Sequence, residues 1–178
     1  MALSILILGS MFIISCGSSE SADTAKSAQK AAAATSVGGN VLTATSSATD
    51  IEGTRHQMST WVGQQPVVIN FWGTWCPPCR REIPELVRLY DEYQPQGVEI
   101  VSLAIRDTPA KVRMFSEQAG MDWVMLMAEE DVAEEFELGS AVPTTIFYDK
   151  DGNEQARFIG ARGYDDFKEA FEKIVAAS

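Results

Sequence analysis

One histidine and three cysteines among 178 residues leave few ways to assemble a metal site. Basic side chains are scarce as well: 14 Lys and Arg stand against 25 Asp and Glu, a formal net charge of −11. That balance argues against nucleic acid as a partner and against electrostatic adhesion to anionic lipid. Acidity of this kind serves solubility and identifies no partner of its own. Long apolar runs are missing too. Leu3 to Ile14 is apolar, but it is shorter than the roughly 20 residues that span a bilayer unaided. No internal repeat is visible. A hydrophobic share of 46% suits one well-packed domain better than two.

What is present begins at the N-terminus. The apolar run ends in Ile13-Ile14-Ser15-Cys16-Gly17, which resembles the lipobox of bacterial lipoproteins. The resemblance implies cleavage before Cys16, leaving that cysteine as a lipid-carrying first residue and membrane anchor. Residues 1–15 then read as a signal peptide, 16–48 as the lipidated cysteine and a flexible linker, and 49–178 as the folded domain. One departure is that Met1-Ala2-Leu3-Ser4 carries no Lys or Arg, so the basic start of a signal peptide is missing. The alternative, a buried helix with an incidental cysteine, gives no reason for the polar segment that follows. That segment is dominated by Ser, Ala, Thr and Gly, which bury too little apolar surface to offset chain entropy. With Cys16 assigned to lipid, Cys76 and Cys79 remain as a single pair, so the one bridge open to an exported domain is a reactive one.

Those two cysteines stand in Trp75-Cys76-Pro77-Pro78-Cys79, directly after the apolar run Val67 to Trp72. Two cysteines separated by two residues at a strand-to-helix junction form a dithiol/disulfide couple. Half of a zinc site is the competing reading, and it lacks two further ligands. A thiolate at Cys76 is favoured by the helix dipole and by amide donors. Pro77 and Pro78 remove two of those donors, leaving chiefly Cys79 to face the sulfur. Limited thiolate stabilisation points to a reducing couple, since a very stable thiolate favours the reduced form and makes an oxidant.

Around the motif, periodicity outlines the rest. Asp50 to Met58 reads as a hairpin with its tip at Glu52-Gly53, and Gln57 to Gly63 as a short irregular turn. Val67 to Trp72 is a strand covered on both faces. Pro77 to about Tyr93 is a helix with Ile83, Leu86, Val87 and Tyr90 inward, with Pro84 predicted to kink it. Val98 to Ile105 is a second strand. Thr108 to Ala119 is a helix opened by a Thr cap and a proline. Trp123 to Met127 is a short strand, and Val132 to Leu138 a short acidic helix stopped by Gly139. Thr144–Asp149 and Glu154–Ile159 flank Lys150-Asp151-Gly152-Asn153, a hairpin signal. Tyr164 to Ala177 is a closing amphipathic helix with Phe167, Phe171, Ile174 and Val175 inward. The expected architecture is α/β, with one mixed central sheet flanked by helices.

The stretch Val67 to Leu86, followed by Val142-Pro143-Thr144, resembles the thioredoxin superfamily, and within it the TlpA/ResA-like thiol-disulfide oxidoreductases in lipoprotein form. The resemblance covers about residues 48–177, and Thr108 to Leu138 matches the helix-strand-helix segment inserted into the thioredoxin-like fold. It implies that Cys76 is the exposed nucleophile and Cys79 the buried resolving thiol. It implies a functional carboxylate at Glu82, which otherwise reads as an exposed acid near a helix N-terminus. Asn70 stands where thioredoxin has a buried aspartate, so proton management is expected to move to Glu82. Pro143 is implied to be a cis-proline, with Val142 offering backbone hydrogen bonds to substrate and Trp75 shielding the sulfurs. Trp72 and Trp123 are expected in the core. Arg80 and Arg81 are expected on a solvated face, His56 is taken as incidental, and the acids from Glu129 to Glu137 form the polar side of a short helix.

The expected activity is reduction of protein disulfides outside the cytoplasm, with no organic cofactor. The resemblance implies a membrane electron donor of the thiol-reductant type and, as substrate, oxidised apocytochrome c in cytochrome c maturation. Three alternatives remain open. A disulfide oxidase or isomerase uses the same motif. A thiol peroxidase of the peroxiredoxin type needs a threonine three residues before the reactive cysteine, where this chain has Gly73. A non-catalytic lipoprotein adaptor would have kept the fold for binding alone.

Overall fold

The computed structural model describes Leu42 and residues 44–178. Cys16, the signal segment 1–15 and the linker through residue 41 lie outside the described residues. In chain order the elements are β1 (Ser47–Asp50), β2 (Arg55–Gln57), a 3-10 turn (Met58–Thr60), β3 (Val67–Trp72), α1 (Pro77–Tyr93) and β4 (Glu99–Ala104). There follow α2 (Pro109–Ala119), β5 (Val124–Met127), α3 (Glu130–Glu135), β6 (Thr144–Tyr148), β7 (Glu154–Ile159) and α4 (Tyr164–Ala176).

The strands form one mixed sheet in the order β2-β1-β5-β4-β3-β6-β7. β3 pairs parallel with β4, β4 parallel with β5, and the remaining pairings are antiparallel. The two-residue period of a strand sends alternate side chains to opposite faces. Val68, Asn70 and Trp72 of β3 therefore face α1, while Val67, Ile69 and Phe71 face the other side. The first face is covered by α1, α2 and α4, the second by the Met58–Thr60 turn and α3. Burial on both faces is why β3 is apolar without interruption.

On the α1 side, Phe147 stands among Phe158, Phe167 and Phe171, with ring centroids 5.9, 6.1 and 5.4 Å away. Truncating it opens a cavity bordered by two strands and α4. Phe147→Ala should lower unfolding free energy by about 3–5 kcal/mol, read from the urea midpoint at constant slope. A loss below about 1 kcal/mol would mean that the cluster closes over the gap.

Three expectations about boundaries need correction. The folded domain starts before residue 49: Leu42 N donates to Gly152 O at 2.8 Å, Ala44 and Ala48 are buried, and β1 opens at Ser47. Backbone pairing, side-chain hydrogen bonds and the small buried side chains of Ala44 and Ala48 hold this stretch, so its composition reads as linker. α3 begins at Glu130 and ends ahead of Glu137, whose φ of 50° takes the chain out of the helix before Gly139 is reached. Thr108 occupies the N-cap of α2, but its side chain makes no capping hydrogen bond. α1, in contrast, runs from Pro77 to Tyr93 with Pro84 inside it.

The acids near α3 do more than face solvent. The Glu135 carboxylate accepts from the backbone N–H and hydroxyl of both Thr45 and Ser46. Glu129 accepts from Thr49 and pairs with Arg55 at 2.9 Å. These contacts tie the start of the sheet to the inserted segment. His56 is held by Asp50, 2.7 Å from its Nε2.

Candidate active site

β3 delivers the chain to the site. After Trp72 it turns through Gly73, where Cys76 N donates to Gly73 O at 3.1 Å. A Cβ on Gly73 would lie 2.6 Å from Trp75 Nε1, so only glycine lets the indole fold back over this turn. The indole N–H donates to Ile105 O at 2.9 Å. Asp107, just past β4, fixes the same turn by accepting from Thr74 N and Thr74 Oγ1, both at 2.7 Å. Trp75 remains 47% exposed, with the Arg106 guanidinium 5.0 Å from its ring.

Cys76 is the N-cap of α1, and its Sγ accepts from Cys79 N at 3.2 Å. Pro77 and Pro78 fill the first two helical positions and bring no N–H, so Cys79 supplies the amide that faces the sulfur. The two cysteines form a disulfide with Cα atoms 5.3 Å apart. The expected exposure of Cys76 is not met: in the oxidised protein it is 2% exposed, and Cys79 is fully buried. The bridge turns Cys76 Sγ inward onto Cys79, and the Val142 carbonyl lies 3.8 Å above it. Val142-Pro143 is a cis peptide. The turn carrying it is held by Thr144 Oγ1 donating to Ala141 O at 2.9 Å and by Gly160 N donating to Pro143 O at 2.8 Å.

Glu82 is not a surface acid. It is 1% exposed and lies under the motif on the sheet side of α1. Its neighbours follow from strand register. Asn70 pairs with Ser102 of β4 and with Thr145 of β6, so three polar side chains form one row across the sheet, facing α1. Asn70 Nδ2 donates to Glu82 Oε1 at 3.2 Å and to Thr145 Oγ1 at 3.0 Å. Ser102 Oγ donates to Asn70 Oδ1 at 3.4 Å and receives the Trp123 indole N–H at 2.8 Å. Burial drives the Glu82 carboxyl up to about 7, against the lowering effects of Asn70 and of Arg162. Beside the motif, a cavity of about 390 Å³ is lined by Ile105, Arg106, Ala128, Glu130, Leu138 and Val142 among others.

The fold therefore brings Trp75, Cys76, Cys79, Glu82, Val142 and Pro143 together, while Cys16 lies outside the described residues. Sequence reasoning singled out Asn70 but missed its partners Ser102 and Thr145, which strand register brings beside it, and it missed Asp107, Arg106 and Arg162, which sit in loops without periodicity.

A strand that hands two cysteines to a helix N-terminus, opposite a cis-proline turn, defines a thioredoxin-fold thiol-disulfide oxidoreductase. The chain belongs to the AhpC/TSA family, which it matches over residues 37–156, and to its ResA-like thiol-disulfide oxidoreductases. It is 36% identical over 126 residues to thiol-disulfide oxidoreductase ResA of Geobacillus thermodenitrificans (strain NG80-2), covering 70% of this chain and 71% of that one. The ResA of Bacillus subtilis (strain 168) is 34% identical over 104 residues, 58% of this chain and 57% of its own. Among solved structures, a thioredoxin-family thiol:disulfide interchange protein from Chlorobium tepidum TLS superposes with a TM-score of 0.69 at 23% identity, over 79% of this chain and 99% of that one. A secreted disulfide oxidoreductase of Mycobacterium tuberculosis shares the fold with a TM-score of 0.63 at 23% identity, over 75% and 96% of the two chains.

Proposed function

We propose that this oxidoreductase reduces protein disulfides outside the cytoplasm, held to a membrane through lipid on Cys16. The observation that carries the direction is the pair Pro77-Pro78, which leaves the amide of Cys79 facing Cys76 Sγ. A sparsely stabilised thiolate gives up its electrons readily.

The steps of this reading are as follows. The Cys76 thiolate attacks a substrate disulfide, forming a Cys76–substrate bond, and one substrate sulfur leaves as a thiolate that takes a proton from water. Cys79 then passes its thiol proton to Glu82 and attacks Cys76 Sγ. The internal disulfide forms, the second substrate sulfur departs, and two electrons have moved to the substrate. The Val142 backbone beside cis-Pro143 aligns the substrate chain. Trp75 covers the sulfurs, and the cavity lined by Ile105, Leu138 and Val142 takes a neighbouring apolar side chain. A membrane donor of the thiol-reductant type, fed by cytoplasmic thioredoxin, restores the dithiol.

Cytochrome c maturation is the role this reading favours, with the oxidised Cys-Xaa-Xaa-Cys-His segment of apocytochrome c as substrate. The relatives' printed names, thiol-disulfide oxidoreductase ResA, support the reaction class on which this role rests. The reduced protein should convert a disulfide-closed peptide of that pattern to its dithiol faster than it reduces insulin, followed by mass after acid quenching. A peptide left oxidised under those conditions would remove this substrate. A peroxidase reading is disfavoured by Gly73, because a threonine there would drive its Cβ into the Trp75 indole.

A further inference from the structure

Among the described residues, Arg55, Arg88, Arg113, Arg157 and Arg162 donate side-chain N–H groups to protein oxygens. Arg80, Arg81 and Arg106 donate to none, and Arg106 stands at the turn of the redox pair, its guanidinium 5.0 Å from the Trp75 ring. Its φ is 48°, in the left-handed region that glycine enters freely and other residues rarely. The neighbouring Asp107 carboxylate is bonded to Thr74 and to Thr108 N rather than to this cation. The indole is fixed in turn by the Ile105 carbonyl and by the space that Gly73 leaves open. Arg106 lines two hollows. One, of about 270 Å³, is bordered by Trp75 and Arg106. The other is the 390 Å³ cavity that it shares with Val142, whose carbonyl lies 3.8 Å from Cys76 Sγ. Glu129 and Glu130 also line that larger cavity, so an anion is opposed there and favoured on the Trp75 side.

We propose that Arg106 and Trp75 form a subsite for an acidic side chain, Asp or Glu, of the polypeptide whose cysteine exchanges with Cys76. The guanidinium has its donors free and takes the carboxylate through paired N–H groups, while the exposed indole takes the methylenes. Arg80, four residues after Cys76 and 5.6 Å from the Phe115 ring, adds a second cation without a carboxylate partner at this end of α1. In a chain of net charge −11, these are free positive charges placed beside the reacting sulfurs. A carboxylate near the exchanged cysteine is thereby a determinant of specificity. The proposal rests on Cys76 exchanging with a polypeptide disulfide along the Val142 backbone, in either direction of electron flow.

The test compares three disulfide-closed peptides whose residues flanking the two cysteines are Glu, Gln or Lys. Second-order rate constants with the reduced protein are read by acid quenching and mass. The Glu peptide should react about fivefold faster than the Gln peptide at low ionic strength, and the Lys peptide slower than either. Added salt should shrink the lead of the Glu peptide. Arg106→Gln should bring the Glu and Gln peptides to one rate, and Arg106→Glu should put the Lys peptide first. Equal rates for the Glu and Gln peptides with the wild type, a comparison that needs no variant to fold, would overturn the proposal. So would an undiminished lead of the Glu peptide in Arg106→Gln, which would place the preference elsewhere on the surface. Failure of the underlying reading looks different: none of the three peptides would then be exchanged.

Discussion

Cys76→Ser should leave no disulfide reduction above the uncatalysed background, whereas Cys79→Ser should complete half a turnover and stop. The difference follows from where the sulfurs sit. Cys76 caps the helix beneath the Val142 carbonyl, while Cys79 is fully buried one turn on. Cys76 lies at the start of the helix, facing the cis-proline turn, and Cys79 is bonded to it from within the helix. Without Cys79 the adduct on Cys76 has no internal sulfur to resolve it, so the mixed disulfide accumulates. Non-reducing mass analysis after mixing each variant with a disulfide peptide reads both results. Peptide captured by Cys76→Ser, or product released by Cys79→Ser at the wild-type rate, would contradict the assignment.

Glu82→Gln should slow resolution of the mixed disulfide on the order of 10²-fold and flatten the pH dependence near neutrality. The carboxyl titrates at about 7 when folded, against an ordinary value of 4.5. A poise near the working pH is what a proton acceptor for a thiol needs. The same shift makes a second, independent expectation. Folding raises the affinity of Glu82 for its proton, so its contribution to stability is full below about pH 4.5 and is lost as pH rises through about 7. The gap corresponds to about 3 kcal/mol. Gln carries no charge at any of these pH values. The variant should therefore match the wild type near pH 4 and exceed it in unfolding free energy at pH 8. Asp50, Glu129, Glu135 and Asp149, whose carboxyls are all held below their ordinary values, act in the opposite sense and cancel in the comparison. Equal pH dependence in the two proteins would show that Glu82 is not a buried titrating acid.

Much of the architecture was legible because the core strands and helices carry strong periods. β3 and α1 begin and end where their residues predict, since a doubly covered strand is continuously apolar and Pro77 starts a helix as only proline at its first turn can. The hairpin tip at Glu52-Gly53 was legible, but the start of β1 was not: Ser47, Ala48 and Thr49 carry no apolar pattern and are held by backbone pairing and, at Thr49, by Glu129. The end of α3 was misplaced because Glu137 adopts a positive φ that its residue type does not announce. The site divides the same way. Cys76 and Cys79 are a local pattern readable from spacing, and Pro143 came through the family resemblance. The burial of Glu82 depends on a row formed by Asn70, Ser102 and Thr145, residues brought together only by the register of three strands. The loop after β7 is joined to the cis-proline turn by Gly160 N donating to Pro143 O, a contact between residues 17 positions apart. No sequence window contains either relation.

The reduction potential of the Cys76/Cys79 couple tests the central claim most directly. The soluble domain is equilibrated in thiol redox buffers at pH 7, and the dithiol fraction is counted by alkylation and mass. A value near or below about −250 mV, close to that of thioredoxin, is the predicted result for a reductant with a sparsely stabilised Cys76 thiolate. A value near about −120 mV, in the range of DsbA, would contradict the account and make this protein a donor of disulfides.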